Sequence, residues 1–198
     1  MITFKNISSN APYTVFQKKY HEALESGQKN IEAIAISSFD KHSKEVDSRF
    51  VNLKFVDGNK FIFFSNYNSP KSVAFKEHNQ IGALFYWQST NTQIRMRAKI
   101  TKTSKDYNQN YFQKRSVNKN ALAICSNQSE KINSYEEVKV KYDEIKNNED
   151  LTKCPDFWGG YSFVPYYFEF WEGHESRLNR REAYEYENRK WNKFFLQP

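Results

Sequence analysis

RFVNLKFVDGNKFIFFS, residues Arg49–Ser65, decides the fold class. Apolar and polar side chains alternate through Arg49–Val56, which predicts a half-buried strand. Asp57-Gly58 supplies the residues a tight hairpin turn needs, so Lys60–Ser65 is expected to return antiparallel. Outward from this hairpin the same pattern recurs. Thr92–Lys102 alternates cleanly, with Gln93, Arg95, Arg97 and Lys99 on one face and Ile94, Met96, Ala98 and Ile100 on the other. Ile31–Phe39 and Ile81–Gln88 are short apolar runs, and from Trp158 the chain is strand-rich: GGYSFVPYYFEFW, RLNRREAYEY and WNKFFL.

Helical spacing is local. Phe16, Tyr20 and Leu24 predict a helix over Thr14–Ser26, with Thr14/Gln17 as a capping box and Gly27 as its stop. Ser69-Pro70 opens a second helix to about His78, and two more are expected at Ser104–Arg115 and Ser134–Asn147. The last has Ser134/Glu137 as its cap and Val138, Tyr142 and Ile145 as its apolar stripe. Lys146–Pro155 is the only linker-like stretch. There is no internal repeat and no alternation of strand and helix. One α+β or mainly-β domain over residues 1–198 is therefore expected, an antiparallel sheet or barrel with peripheral helices. Met1–Tyr13 reads as a flexible N-terminal arm.

The 198 residues carry 30 Lys+Arg against 23 Asp+Glu, a net charge of +7, and 17% aromatics, which excludes a disordered or collagen-like chain. No apolar run approaches the roughly 20 residues of a membrane helix, and no basic amphipathic helix suits a membrane surface. The N-terminus lacks a signal peptide's apolar stretch. Cys125 and Cys154 have no disulfide-framework spacing, so a reducing, cytoplasmic setting is expected. Net positive charge calls for an anionic partner. Lys60–Asn66 interleaves aromatics with a basic start but lacks the glycines of an RNA-recognition strand, so no nucleic acid is expected.

Nucleotide-binding glycine loops, a nucleophile elbow and the zinc-protease helix motif are all missing. The four histidines stand apart, without metal-ligand spacing. A phosphate must then be held by Lys/Arg side chains and helix N-termini. Lys71 in the first turn of a helix opposes the macrodipole, unless an anion bound there reverses the sign; alone it is a solvated lysine. Tyr111 and Arg115, four apart, share a helix face; such pairs are commonly plain surface. Strand alternation puts Arg177, Asn179 and Arg181 together, and two like charges so close ask for a counter-charge. Arg49 and Lys54 sit an odd number apart and share a site only through a bulge, a strand end or a second subunit.

In this order, RFVNLK, Phe64–Asn66 with Ser69 and Lys71, TQI at Thr92–Ile94, YFQKR at Tyr111–Arg115, NQS, WGGY and EFWEG-x-x-x-RLNRR at Glu169–Arg181 resemble the pyridoxamine 5′-phosphate oxidase family of FMN-binding split-barrel flavoproteins. The likeness runs from about Ile31 to the C-terminus. It implies a homodimer with two FMN sites at the subunit interface. Matched residue by residue, it implies FMN held by Arg49, Phe64, Ser65, Lys71, Gln93, Gln128, Ser129, Trp171 and Arg181, some of them from the partner chain. A substrate phosphate would meet Lys54, Tyr111, Arg115 and Lys119, with Arg177 as catalytic residue over the pyridine ring and Asn179 beside it. The implied reaction oxidises pyridoxine or pyridoxamine 5′-phosphate, a phosphorylated B6 vitamer, to pyridoxal 5′-phosphate while dioxygen becomes hydrogen peroxide.

Four positions depart from the family pattern. Pro70 stands where an FMN-phosphate arginine is expected, Lys119 replaces a serine, and Asn179 replaces a histidine. The basic arm before the first helix is missing. These leave room for a related flavin oxidase acting on another reduced aromatic of dihydrophenazine type, or for a non-catalytic FMN or pyridoxal-phosphate carrier.

Overall fold

A computed structural model describes all residues, 1–198. Its elements run β1 (Thr3–Lys5), α1 (Ala11–Glu25), β2 (Ala33–Asp40), β3 (Glu45–Asn52), β4 (Phe55–Asp57), β5 (Lys60–Asn66), α2 (Pro70–Glu77), β6 (Gln80–Trp87) and β7 (Thr92–Lys102). Three helices follow, α3 (Lys105–Phe112), α4 (Val117–Cys125) and α5 (Tyr135–Asn148), then β8 (Trp158–Glu172), β9 (Arg180–Glu187) and β10 (Lys190–Leu196). All ten strands belong to one sheet, in the order β1-β4-β5-β8-β7-β6-β2-β3, with β9 and β10 added beside the far half of β8. The hydrogen-bonded path does not close, and β1 joins it parallel to β4. The architecture is the sheet-dominated α+β fold that the strand pattern predicted.

Alternation builds the core. β7 buries Thr92, Ile94, Met96, Ala98 and Ile100 and turns Arg95 and Arg97 outward, as read from the sequence. Against this face lies α1, whose Tyr13, Phe16, Tyr20 and Ala23 recur at helical spacing and are buried. Phe16 meets Phe61 edge-on at 5.0 Å and also contacts Phe85 and Trp87. Fully burying one such ring contributes about 1.5–3 kcal/mol.

β8 pairs with β5 along its first half, β9 along its second, and β7 throughout. Opposite Arg97 and Ala98 the partners are Tyr167 and Pro165, so Tyr166 is one residue too many. This bulge exchanges the strand's faces. Tyr161 and Phe163 point into the core before it, Phe168 and Phe170 after it. Glu169 and Trp171 are thereby placed on the outer face with Gln93 and Arg95.

Several sequence expectations give way. Arg49–Val56 is two strands, β3 on β2 and β4 on β5, because the chain crosses between them at the buried Leu53 and at Lys54. Met1–Tyr13 is no loose arm. Ile2 is buried, its N–H donates to the Tyr20 hydroxyl at 3.0 Å, and β1 lies along β4. α1 begins earlier than Thr14 because Pro12 suits its first turn. Thr14 instead donates to the Ala11 carbonyl. Helix α4 was not anticipated at all.

Candidate active site

One cavity of about 900 Å³ gathers ten of the predicted site residues: Arg49, Lys54, Phe64, Ser65, Lys71, Tyr111, Arg115, Lys119, Gln128 and Ser129. The break at Leu53–Lys54 is what lets Arg49 and Lys54 share it despite their odd spacing. Six cationic side chains line the cavity against a single carboxylate, Asp47.

Around Lys71 the arrangement is that of an anion grip. Its ammonium is only 8% exposed and donates to neutral acceptors alone, Ser69 Oγ at 2.9 Å and Gln128 Oε1 at 2.7 Å. Burial, with Arg49 adding repulsion, pulls it down to about 8. Ser65 donates to the same Gln128 oxygen at 3.2 Å. Arg49 reaches Ser38 Oγ at 2.7 Å and lies 3.5 Å from Asp47; burial lowers its pKa, and Asp47 opposes that. A cation buried at the N-terminus of α2 faces both desolvation and the helix dipole, and a bound anion relieves both.

A second cationic group sits on the other side. Lys54 is lowered by burial and by Lys119 and Arg115, with Glu32 at 4.0 Å opposing. Arg115 lies 4.4 Å above the Trp158 ring, and its Nη1 is buried without a hydrogen-bond partner. Burial lowers Arg115 and raises Tyr111, each moderated by the other. Between the groups stands a flat aromatic wall. Phe64 and Tyr111 stack at 3.8 Å and 11°, and Trp158 lies nearly parallel to both. The glycines of WGGY hold this wall in place. A Cβ on Gly159 would strike Asn108 and Tyr67, and Gly160 N–H donates to Asn108 Oδ1 at 2.8 Å, docking α3 on β8. Trp158, Asp47 and Lys114 were not among the predicted site residues; the WGGY motif was the available signal for the first.

The other five predicted residues do not line this cavity. Gln93, Trp171 and Arg181 form one row across β7, β8 and β9. Arg177 and Asn179 are not on a strand. They lie in the turn before β9, with Arg177 at φ +60° and its N–H on the His174 carbonyl, and Asn179 Oδ1 accepting from His174 N–H at 3.1 Å. Alternation therefore does not unite Arg177 with Arg181. The Arg177 side chain is exposed.

Residues 17–149 match the family model described as pyridoxamine 5′-phosphate oxidase, and residues 158–198 match the pyridoxine 5′-phosphate oxidase C-terminal dimerisation region. This chain belongs to the pyridoxamine 5′-phosphate oxidase family. A pyridoxine/pyridoxamine 5′-phosphate oxidase of Cytophaga hutchinsonii is 36% identical over 193 residues, covering 95% of this chain and 89% of that protein. One of Rippkaea orientalis is 33% identical over 190 residues, covering 94% and 89%. Among solved structures, PhzG from Burkholderia lata in complex with tetrahydrophenazine-1-carboxylic acid superposes with a TM-score of 0.90 at 24% identity, covering 96% of this chain and 93% of that one. A pyridoxamine 5′-phosphate oxidase-related, FMN binding protein from Nostoc punctiforme gives 0.78 at 12% identity, covering 96% and 99%. The family is one of oxidases, and at that level the chain is an oxidoreductase of the flavoprotein class. No helix is long and apolar enough to cross a membrane.

Proposed function

We propose that the chain binds FMN and oxidises pyridoxine or pyridoxamine 5′-phosphate to pyridoxal 5′-phosphate, with dioxygen reduced to hydrogen peroxide. The observation that carries this reading is a cavity with two separate groups of cations, each met by only one carboxylate (Asp47 at Arg49, Glu32 at Lys54) and so suited to two phosphates. The donor set fits the FMN phosphate, since the buried Lys71 ammonium faces only neutral acceptors, and the unpartnered Arg115 Nη1 fits a second anion, that of the substrate. Arg49, Ser65 and Lys71, with Gln128 and Ser129, would hold the flavin phosphate. Without the family arginine at Pro70, Lys71 and Arg49 carry that charge alone.

When bound, FMN would supply the hydride acceptor and the route by which electrons reach dioxygen. The protein's part is orientation. Lys54, Arg115 and Lys119 would grip the substrate phosphate, Tyr111 adds a hydroxyl on the flat aromatic wall, and Arg177 would lie over the pyridine ring as catalytic residue. Asn179 hydrogen-bonds but carries no charge. The row Gln93–Trp171–Arg181 and the Arg177 turn complete the site when a second copy brings them to the cavity, so a homodimer with shared sites belongs to this reading. A phosphomonoester carries nearly two negative charges at neutral pH and answers the three cations Lys54, Arg115 and Lys119 more fully than the single carboxylate of a phenazine-1-carboxylic acid, which favours the phosphorylated vitamer.

The test is anaerobic addition of pyridoxamine 5′-phosphate to FMN-loaded protein. Bleaching of the flavin absorbance by the phosphate, and not by free pyridoxamine, is the expected result. A yellow protein that neither B6 phosphate bleaches would overturn the substrate. A protein that stays colourless after FMN is added and the excess removed would overturn the cofactor too.

A further inference from the structure

The outer face of the sheet holds a carboxylate that the proposed chemistry does not use. Glu169 is 2% exposed although the bulge at Tyr166 aims it away from the core. Its Oε1 accepts from Arg181 Nε at 2.8 Å, and Arg181 Nη2 lies at ion-pair distance, also 2.8 Å. Its Oε2 accepts from Arg95, whose Nε lies at 3.1 Å, and from the Tyr167 hydroxyl at 3.1 Å. Burial works to raise Glu169, and the hydrogen bonds from Arg95 and Arg181 outweigh it, leaving it below the usual carboxylate range. Arg181 Nη1 in turn donates to the Gln197 carbonyl at 2.8 Å, so the guanidinium is held from two sides.

Position gives the contact its meaning. Glu169 and Trp171 stand two apart on β8, and Trp171 is the register partner of both Gln93 and Arg181. Glu169 therefore sets the direction of the one cation in the row. A buried ion pair contributes little net stability compared with an apolar pair of the same volume. Its use here is directional. Resting on the FMN reading above, we propose that Glu169 is a positioning residue for the cofactor site, holding Arg181 beside Trp171 and Gln93 in the orientation that meets the flavin.

A double-mutant cycle on the full chain separates this from a structural role. Apo-protein is titrated with FMN, following quenching of flavin fluorescence, for the wild type, Glu169→Gln, Arg181→Gln and the double variant. Glu169→Gln keeps shape and removes charge, and it is expected to weaken FMN by about tenfold, the loss of one well-aimed charge-assisted contact. In the Arg181→Gln background the same change is expected to have no further effect, within about twofold. If Glu169→Gln binds FMN as the wild type does, or if the two losses multiply in the double variant, the proposal falls. Where Glu169→Gln does not fold, Tyr167→Phe removes one hydrogen bond to the same carboxylate. It should weaken FMN two- to threefold in the wild type and not at all beside Arg181→Gln, and an equal loss in both backgrounds overturns the idea. A wild type that fails to bind FMN fails the cofactor reading itself, which the wild-type titration shows separately.

Discussion

The cavity and the outer face of β7–β9 are both rich in cations, yet their charges are arranged in opposite ways. In the cavity, Lys71 and Arg115 are largely shut off from water with no carboxylate against them. On the sheet, Arg95 and Arg181 close on Glu169, and Arg97 on Glu185 at 2.8 Å. A buried cation left without a partner is costly, and the chain tolerates that cost only where a ligand can supply the missing charge. The paired cations are already satisfied and can at most be aimed. The same residue types thus differ, by the company they keep, in whether their charge is already answered within the chain.

The largest expected effect breaks the cavity side. Arg115→Ala should lower kcat/KM for the phosphorylated substrate by about a hundredfold, about 2.7 kcal/mol. Turnover of an unphosphorylated analogue should hardly change, and FMN should be retained. Equal losses on both substrates would show that Arg115 does not read the phosphate.

Lys71→Met comes next, with a change of sign. FMN affinity should fall about thirtyfold, while thermal melting of the FMN-free protein should rise by a few degrees, because an uncompensated buried charge is gone. A melting temperature that drops instead would mean Lys71 is already satisfied without a ligand.

pH probes the same group. With Lys71 lowered to about 8, the folded apo-protein binds fewer protons than the unfolded chain between about 8 and the ordinary lysine value. Its stability should therefore rise with pH through that window by about 3 kcal/mol at most, other groups held constant. FMN binding should run the other way and weaken several-fold between pH 7 and 9, as the ammonium that meets the anion is lost. Titrations at the two pH values check it, and Lys71→Met should flatten the difference.

The smallest effect sharpens the sheet side. Arg97 and Glu185 are both substantially exposed, so Arg97→Gln should shift stability by no more than about 0.5 kcal/mol in denaturant titrations. A larger loss would mean the outer face contributes more than aim.

How much of this could be read in the chain depends on the period of the pattern. β7 was legible residue by residue because its alternation is unbroken, and α2 because Ser69-Pro70 marks its start. The crossing at Leu53–Lys54 was hidden, since an apolar residue followed by a lysine also fits a continuing strand; yet that crossing joins Arg49 to Lys54. The turn at Arg177 was hidden by the alternating RLNRR, and its positive φ carries no signature in an arginine. α4 is short and buries only Asn120 and Ala121, leaving no apolar stripe to count. The motif likeness supplied ten side chains that share the cavity and implied that some others come from a partner chain, but not which five stand apart from it in a single chain.

The extra residue at Tyr166 makes the length of β8 as constrained as its composition. Deleting that one position would slide Glu169 and Trp171 toward the interior and push Phe168 and Phe170 out into water, all at once. A lineage can exchange the letters of this strand one by one, but it cannot shorten or lengthen it here without turning half of it inside out.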